Sequence, residues 1–497
     1  MTRALQISDQ DNVAIMIDAA APGETVLGVT VLDAIPSGHK MALHPIAAGA
    51  VVRKYGQPIG VATRAIQPGE QVHVQNLALP AEGIPHNPDA VPAAAIGKST
   101  QGWFDGFVRA DGSVGTRNVI GIISSVNCSA TVVRRIARTL EDDLPPGIDA
   151  IVPFTHSSGC GMPKVGEGIE TLERTLTGYA RHPNFGGVLM IGLGCEVAQI
   201  DEMLDRYGLA PGERLRTMTI QGAGGTGEAI ARGTAVAREL IEIAATDRRE
   251  RRPASDLVLG LQCGGSDGWS GVTANPALGA ATDLLLAAGG TAFLSETPEI
   301  YGAEHLLYAR AANAEVSAAL AERIAWWEAY ASRNGANLDN NPSPGNKAGG
   351  LTTIYEKSLG AVAKSGSFPL NGVIPYAGRT SDHGLIFMDS PGYDPCSATG
   401  QIASGANLLA FTTGRGSVFG SQPAPCLKLA SNAALASAMG DDMDVDCSTV
   451  LEGKPLGELG QEIFDRLLAV ASGERTKSEA NGLGDNEFVP WQIGAWM

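Results

Sequence analysis

The sequence predicts an α/β protein in which a small N-terminal β module is joined by a linker to a larger α/β region, two lobes with mainly parallel sheets. Three observations carry that prediction. Four apolar, β-branched-rich runs, "IGIISSVNCS", "AIVPFTHSSGCG", "VLMIGLGCE" and "DLVLGLQCGG", read as buried strands, and each ends in a cysteine among small residues. Between and after them, "TVVRRIARTL", "EGIETLERTLTGYA", "GEAIARGTAVARELIEIAA" and "AEVSAALAERIAWWEAYA" carry helical spacing, the alternation expected of a parallel α/β body. Residues 1–80 instead break into short β-branched runs punctuated by "PSG", "YGQP" and "QPGE".

Taken in order, residues 1–80 form the β module. Residues 81–102, with "EGIPHNPDAVP", have the proline content and weak periodicity of a linker. Residues 103–252 make a first α/β lobe, and the charged "DRRERRP" marks the break before a second lobe at 253–497. In such sheets ligands bind beyond the carboxyl ends of the strands, which is where the four cysteines fall.

With 497 residues, two or three domains are expected. The net charge of −17 lacks the basic face that nucleic acid requires. No apolar run approaches the roughly 20 residues that span a bilayer. The N-terminus mixes Asp9, Asp11 and Asp18 into its apolar segment, unlike a secretory signal, so a cytoplasmic location is expected. Seven cysteines, an odd number with several at Gly-rich strand exits, favour metal binding or catalysis over disulfides.

"QGAGGTGEA" places Gly222, Gly224 and Gly227 in G-x-G-x-x-G order, but the acid of a dinucleotide fingerprint is missing from the expected second strand, so a tight strand-to-helix turn is the better reading. Cys128, Cys160, Cys195 and Cys263 are candidates to surround iron, since thiolates select iron or iron–sulfur clusters over magnesium; buried thiols beside a cleft are the plainer alternative. Arg415 in "TTGRGSVFG" can bind a carboxylate bidentately. Lys347 in "DNNPSPGNKAGG" precedes a predicted helix and adds a second anion contact. "SETPEIYGAEH" offers Glu296, Glu299 and His305 as acid/base groups or ligands.

Together "GHK", "KYGQPIG", "VRADGSVGTRN", "THSSGCG", "IGLGCE", "LQCGGSDGWSGVTANPALG", "NPSPGNKAGG" and "FTTGRGS" closely resemble the altronate dehydratase and galactarate dehydratase family over nearly the whole chain. The resemblance implies an N-terminal SAF module with a β-clip fold and iron-dependent loss of water from a sugar acid. In a related sulfo-lyase the SAF part and the large part are separate subunits, which implies that the active site needs both. One departure is "QVHVQN", where altronate enzymes tend to read "HVHAHN": His73 and Asn76 remain, and Gln75 stands in place of a histidine.

On this reading Cys128, Cys160, Cys195 and Cys263 surround the iron, as Fe2+ or an iron–sulfur cluster. His156, Asp267 and Lys347 are the catalytic candidates. His39, Lys40, His73, Ser266 and Arg415 bind a small anionic sugar acid, altronate-like, and the chain is a homo-oligomer. Galactarate or a hydroxy-acid sulfo-lyase reaction are the near alternatives; a nucleotide-dependent oxidoreductase or a non-catalytic binding protein are the distant ones.

Overall fold

A computed structural model describes residues 2–80 and 101–494, so most of the expected linker, 81–100, lies outside the described residues. The N-terminal module is built of short antiparallel strands. Ala4–Leu5, Val13–Met16, Lys40–Ala42 and Gln71–Val72 form one sheet, and Val51–Lys54, Gln57–Ala62 and Leu77–Ala78 another. One face packs its own core of Ala14, Met16, Val31 and Met41. The other face, with Val13, Val52, Ile59 and Val72, merges into the core of the C-terminal lobe. The module is therefore docked through buried apolar surface, the dominant favourable term in such association.

The first α/β lobe has a four-stranded parallel sheet in the order Ala150–Phe154, Val119–Ser124, Phe185–Gly192, Leu215–Thr219. Its central strands are buried throughout, as apolar runs sandwiched by helices must be. Helix Ala130–Leu140 turns Val132, Val133, Ile136 and Leu140 toward the sheet, a helical spacing of apolar residues. Trp103–Val108, which precedes this lobe, pairs antiparallel with Arg249–Pro253, which follows it. The charged "RERRP" hid that strand from the apolar pattern.

The C-terminal lobe has a seven-stranded parallel sheet, ordered Leu370–Ile374, Gly384–Met388, Thr291–Leu294, Val258–Cys263, Leu408–Thr413, Cys426–Ala430, Val445–Asp446. The chain enters at Val258–Cys263, builds outward on one side, then restarts on the other with Leu408–Thr413. The crevice beyond these two strands is the topological switch point where such sheets bind ligands. No helix among the described residues is long and apolar enough to cross a membrane.

Candidate active site

Three glycine-rich loops meet at that crevice, and their glycines are there because backbone touches backbone. A Cβ on Gly268 would lie 2.1 Å from the Gly38 carbonyl oxygen, and one on Gly350 would lie 2.4 Å from the same atom. The "GHK" turn of the N-terminal module is thereby dovetailed between "GGSDGWSG" and "GNKAGG". Beside the joint opens a cleft of about 630 Å3 lined by His39, Asp267, Gly349, Arg415 and Asn432 among others. Arg415 is exposed into it and has no carboxylate partner among the described residues. Arg3, on the opposite lining, is tied to Asp18 at 3.1 Å and Glu452 at 3.2 Å. Lys347 is half-buried in the short helix Pro344–Ala348, which Gly349 caps, and Ser266 is buried, its carbonyl accepting a 2.8 Å hydrogen bond from Asn346 Nδ2. His39 and His73 stack edge-on at 4.9 Å, His39 facing the Ala348 carbonyl at 3.3 Å. Burial, with the nearby Lys40 charge, lowers His73 to about 4.

Lys40 does not reach the cleft. It is fully buried, donating to Glu356 at 2.8 and 2.9 Å and to the Gly350 carbonyl at 2.7 Å. Lys54 of the same module donates to Oε1 of that carboxylate at 2.8 Å, an oxygen Lys40 also reaches. Two buried ammoniums on one carboxylate fix the module to helix Ile354–Ala363, so the expected substrate contact at Lys40 is corrected to a docking role.

The two expected bases are also engaged elsewhere. Asp267 Oδ1 accepts from Trp269 N, Ser270 N, Ser270 Oγ and Ser431 Oγ, and Oδ2 accepts from Asn432 Nδ2. Such a carboxylate shapes its loop through Oδ1 and lines the cleft, with Oδ2 the less engaged oxygen. His156 is buried, with Nε2 against the Ser124 carbonyl at 3.0 Å and Nδ1 facing Ser158 Oγ at 3.0 Å. Burial lowers it to about 4, so it is a neutral brace between two loops.

The four cysteines divide between two places. Cys128, Cys160 and Cys195 are exposed on three loops of the first sheet, whereas Cys263 is buried at the end of the switch-point strand of the other. Cys263 Sγ, a Glu296 oxygen and a Glu299 oxygen lie within 4.8 Å of one another. Around them, Lys364 Nζ donates to Cys263 Sγ at 3.0 Å and to Glu296 Oε2 at 3.4 Å. Lys357 Nζ donates to Glu299 Oε1 at 2.8 Å and to Asn341 Oδ1 at 2.6 Å. Asp394 closes in beside Gly264, where a Cβ would lie 2.3 Å from its Oδ2.

Electrostatics in this pocket are unbalanced. Burial and the adjacent Glu299 charge raise Glu296 well above the usual carboxylate range and raise Asp394 to about 7. Against its own burial, Glu299 is held low by Lys357 and Lys364. Burial pushes the Cys263 thiol up to about 11. Glu296 Oε1 is buried without a hydrogen-bond partner, and the residue sits at φ 70°, in the left-handed region a glutamate rarely adopts. One thiol, two carboxylates, an orphaned oxygen and backbone strain beyond the ends of two neighbouring strands fit a divalent cation, which would displace the proton from Glu296. Glu296 and Glu299 stood out in the sequence, but Lys357, Lys364 and Asp394 did not. His305, expected with them, is instead on helix His305–Tyr308 with Nε2 facing Gln57 Oε1 at 3.3 Å.

The G-x-G-x-x-G segment follows the edge strand Leu215–Thr219, not a switch-point strand. A short helix, Ile220–Ala223, intervenes before helix Thr226–Ala244, and Gly224 at φ 95° makes the turn between them. The turn is therefore tight but joins two helices, where a strand-to-helix turn was expected, and it lacks the direct strand-to-helix cradle of a dinucleotide site.

Comparison with known proteins gives three family matches: the altronate/galactarate dehydratase SAF domain over residues 2–80, the D-galactarate dehydratase/altronate hydrolase second domain over 106–245, and the D-galactarate/altronate dehydratase C-terminal domain over 254–496. Galactarate dehydratase (L-threo-forming) of Escherichia coli (strain K12) is 38% identical, the match covering 96% of this chain and 95% of the relative. Altronate dehydratase of Bacillus subtilis (strain 168) is 35% identical over 97% of each chain. Altronate dehydratase of Escherichia coli (strain K12) is 35% identical over 96% of this chain and 97% of the relative.

Proposed function

The chain belongs to the galactarate/altronate dehydratase family of hydro-lyases, and from that premise we propose that it removes water from an altronate-like sugar acid to give a 2-keto-3-deoxy acid, with iron as cofactor. The observation that carries the reading is the Cys263–Glu296–Glu299 donor set beyond the ends of Val258–Cys263 and Thr291–Leu294. Those three residues would hold the iron, which as a Lewis acid eases loss of both a poorly acidic proton and hydroxide.

The chain's own groups supply the rest. Arg415 pairs the substrate carboxylate in the cleft. Because Arg3 is already neutralised, the cleft presents a single free guanidinium, which suits an acid with one terminal carboxylate better than a diacid. Lys357 and Lys364 bring two buried ammoniums to where negative charge builds as the C2 proton leaves. Asp394, raised to about 7, takes or returns a proton near neutral pH. The docked N-terminal module covers the crevice and excludes water from the charged intermediate. All seven cysteines are free, in keeping with a reducing cytoplasmic setting.

Anaerobic protein supplied with ferrous iron is to be assayed with altronate and galactarate side by side. The reading predicts keto-acid formation with altronate favoured; turnover confined to galactarate would overturn the substrate assignment. Equal activity after iron is stripped by a chelator would overturn the cofactor.

A further inference from the structure

The cleft that holds Arg415 has a second guanidinium in its wall, and that one is built into a different setting. Arg3 and Glu452 both line the cleft of about 630 Å3, as do Arg415 and Asp267. Arg3 belongs to the N-terminal module and Glu452 to the C-terminal lobe, so their contact joins the two parts of the chain at the cleft wall.

The position of Arg3 is set from the backbone outward. Its carbonyl accepts from Ile17 N at 2.9 Å and Asp18 N at 3.2 Å, and its own N–H donates to Asp18 Oδ2 at 2.9 Å. Asp18 then takes one edge of the guanidinium, with Nε to Oδ2 and Nη2 to Oδ1 both at 3.1 Å. A two-point pair of this kind fixes the plane of the group. Nη1 remains, and it donates to Glu452 Oε1 at 3.2 Å and Oε2 at 3.4 Å. Glu452 ends a 3-10 helix, Cys447–Glu452, which starts at a fully buried residue and closes on Gly453 at φ 97°. Next to it Leu451 packs against Ile15 and Trp269 at the seam between module and lobe. Both partners are thus held on fixed backbone while their side chains stay in water, 46% and 69% exposed.

Charge decides what this corner of the cleft accepts. One guanidinium is set against two carboxylates, so the corner is net negative, whereas Arg415 elsewhere in the same wall has no carboxylate partner among the described residues. An exposed pair such as Arg3–Glu452 adds little to stability. Its consequence is for an anion arriving in the cleft, which meets one open cation and one that is already occupied.

We propose that Glu452 is a specificity-determining residue: by occupying Nη1 of Arg3 and repelling a second carboxylate, it makes the cleft take a sugar acid with one carboxylate in preference to a sugar diacid. This rests on the reading that Arg415 pairs the substrate carboxylate. Without the Glu452 charge, Asp18 still holds the guanidinium plane, and both Nη1 hydrogens are open to a carboxylate at the far end of the substrate.

The test is calorimetric titration of the full chain, treated with a chelator so that nothing turns over, with galactonate and with galactarate, which differ only in whether C6 is a hydroxymethyl or a carboxylate. The wild type is expected to bind galactonate more tightly. Glu452→Gln should raise the affinity for galactarate relative to galactonate by ~10-fold, the scale of one charge-assisted hydrogen bond, and Arg3→Gln added to Glu452→Gln should abolish that gain. Both side chains are largely exposed, so the variants should unfold at the wild-type temperature. A galactarate-to-galactonate ratio unchanged in Glu452→Gln, or a gain that survives the loss of Arg3, would overturn this assignment alone. Binding of neither acid to any of the three proteins would overturn it together with the reading of Arg415 beneath it.

Discussion

Arg415 is an exposed guanidinium lining the cleft of a protein of net charge −17, and on the proposed reading capture of an anion depends on it at short range. Losing a charge-assisted hydrogen bond costs about 1.5 to 3 kcal/mol, so Arg415→Gln should lower kcat/KM for the sugar acid by ~10- to 100-fold. Steady-state kinetics with the acid and with its neutral amide check this: the variant should lose its advantage for the acid, and an unchanged ratio would remove Arg415 from recognition. Lys40 shows why a residue type does not reveal its use. "GHK" marks a cation in a glycine turn, yet only the fold shows that its ammonium is spent on Glu356. In the same way nearness to a cysteine recommended His156 and Asp267 as bases, but part of each one's partner set, Ser124 for His156 and Ser431 and Asn432 for Asp267, lies in loops far apart in sequence.

Helix Ile354–Ala363 joins the two halves of the site. It is buried along its whole length, yet carries Glu356 and Lys357, with Lys364 at its C-cap. Seven residues separate Lys357 from Lys364, two turns on one face, and both point into the Cys263 pocket, while Glu356 turns to Lys40 and Lys54. Removing one member of a buried charge set leaves the others unpaired, at about 3–5 kcal/mol. Glu356→Gln should therefore lower stability by that order and loosen the N-terminal module, read as a lower thermal midpoint together with a large loss of turnover. A variant as stable as the wild type would mean the triad contributes nothing to docking. The signal was present in "IYEKSLGAVAK": three charges in an otherwise apolar helix must be paired or functional. What the sequence withheld was the partner set. The strand Arg249–Pro253 was missed for the opposite reason, because exposed arginines masked it.

Across the whole molecule, several imidazoles are held neutral by burial. His182 is lowered to about 3 and His156 to about 4. Unfolded histidine titrates near 6.5, so between that value and the folded ones the unfolded chain binds more protons. The stability these groups confer is complete above about pH 6.5 and is lost as pH falls toward 4. His182 alone steepens the decline by up to about 1.4 kcal/mol per pH unit. Thermal midpoints between pH 7 and 5 should fall, less steeply in His182→Gln; identical slopes in the two proteins would contradict this. At this scale the sequence was most informative. Strand–helix alternation predicted the parallel sheets, and the cysteines did mark carboxyl strand ends. It anticipated two lobes with parallel sheets but not the strand order, and so not the switch point, of either sheet, since strand order is set by packing between segments distant in the chain. The central claim is that a sugar acid loses water in the C-terminal lobe, at Cys263, Glu296 and Glu299. The most direct measurement is proton NMR of the iron-supplied, anaerobic protein turning over altronate in deuterium oxide, beside Glu296→Gln. The account predicts a 2-keto-3-deoxy acid carrying one solvent deuteron at C3, because the C2 proton is removed and the enol is protonated from solvent, and no product from the variant. Equal product from Glu296→Gln, or no keto acid from any sugar acid offered to the wild type, would contradict it.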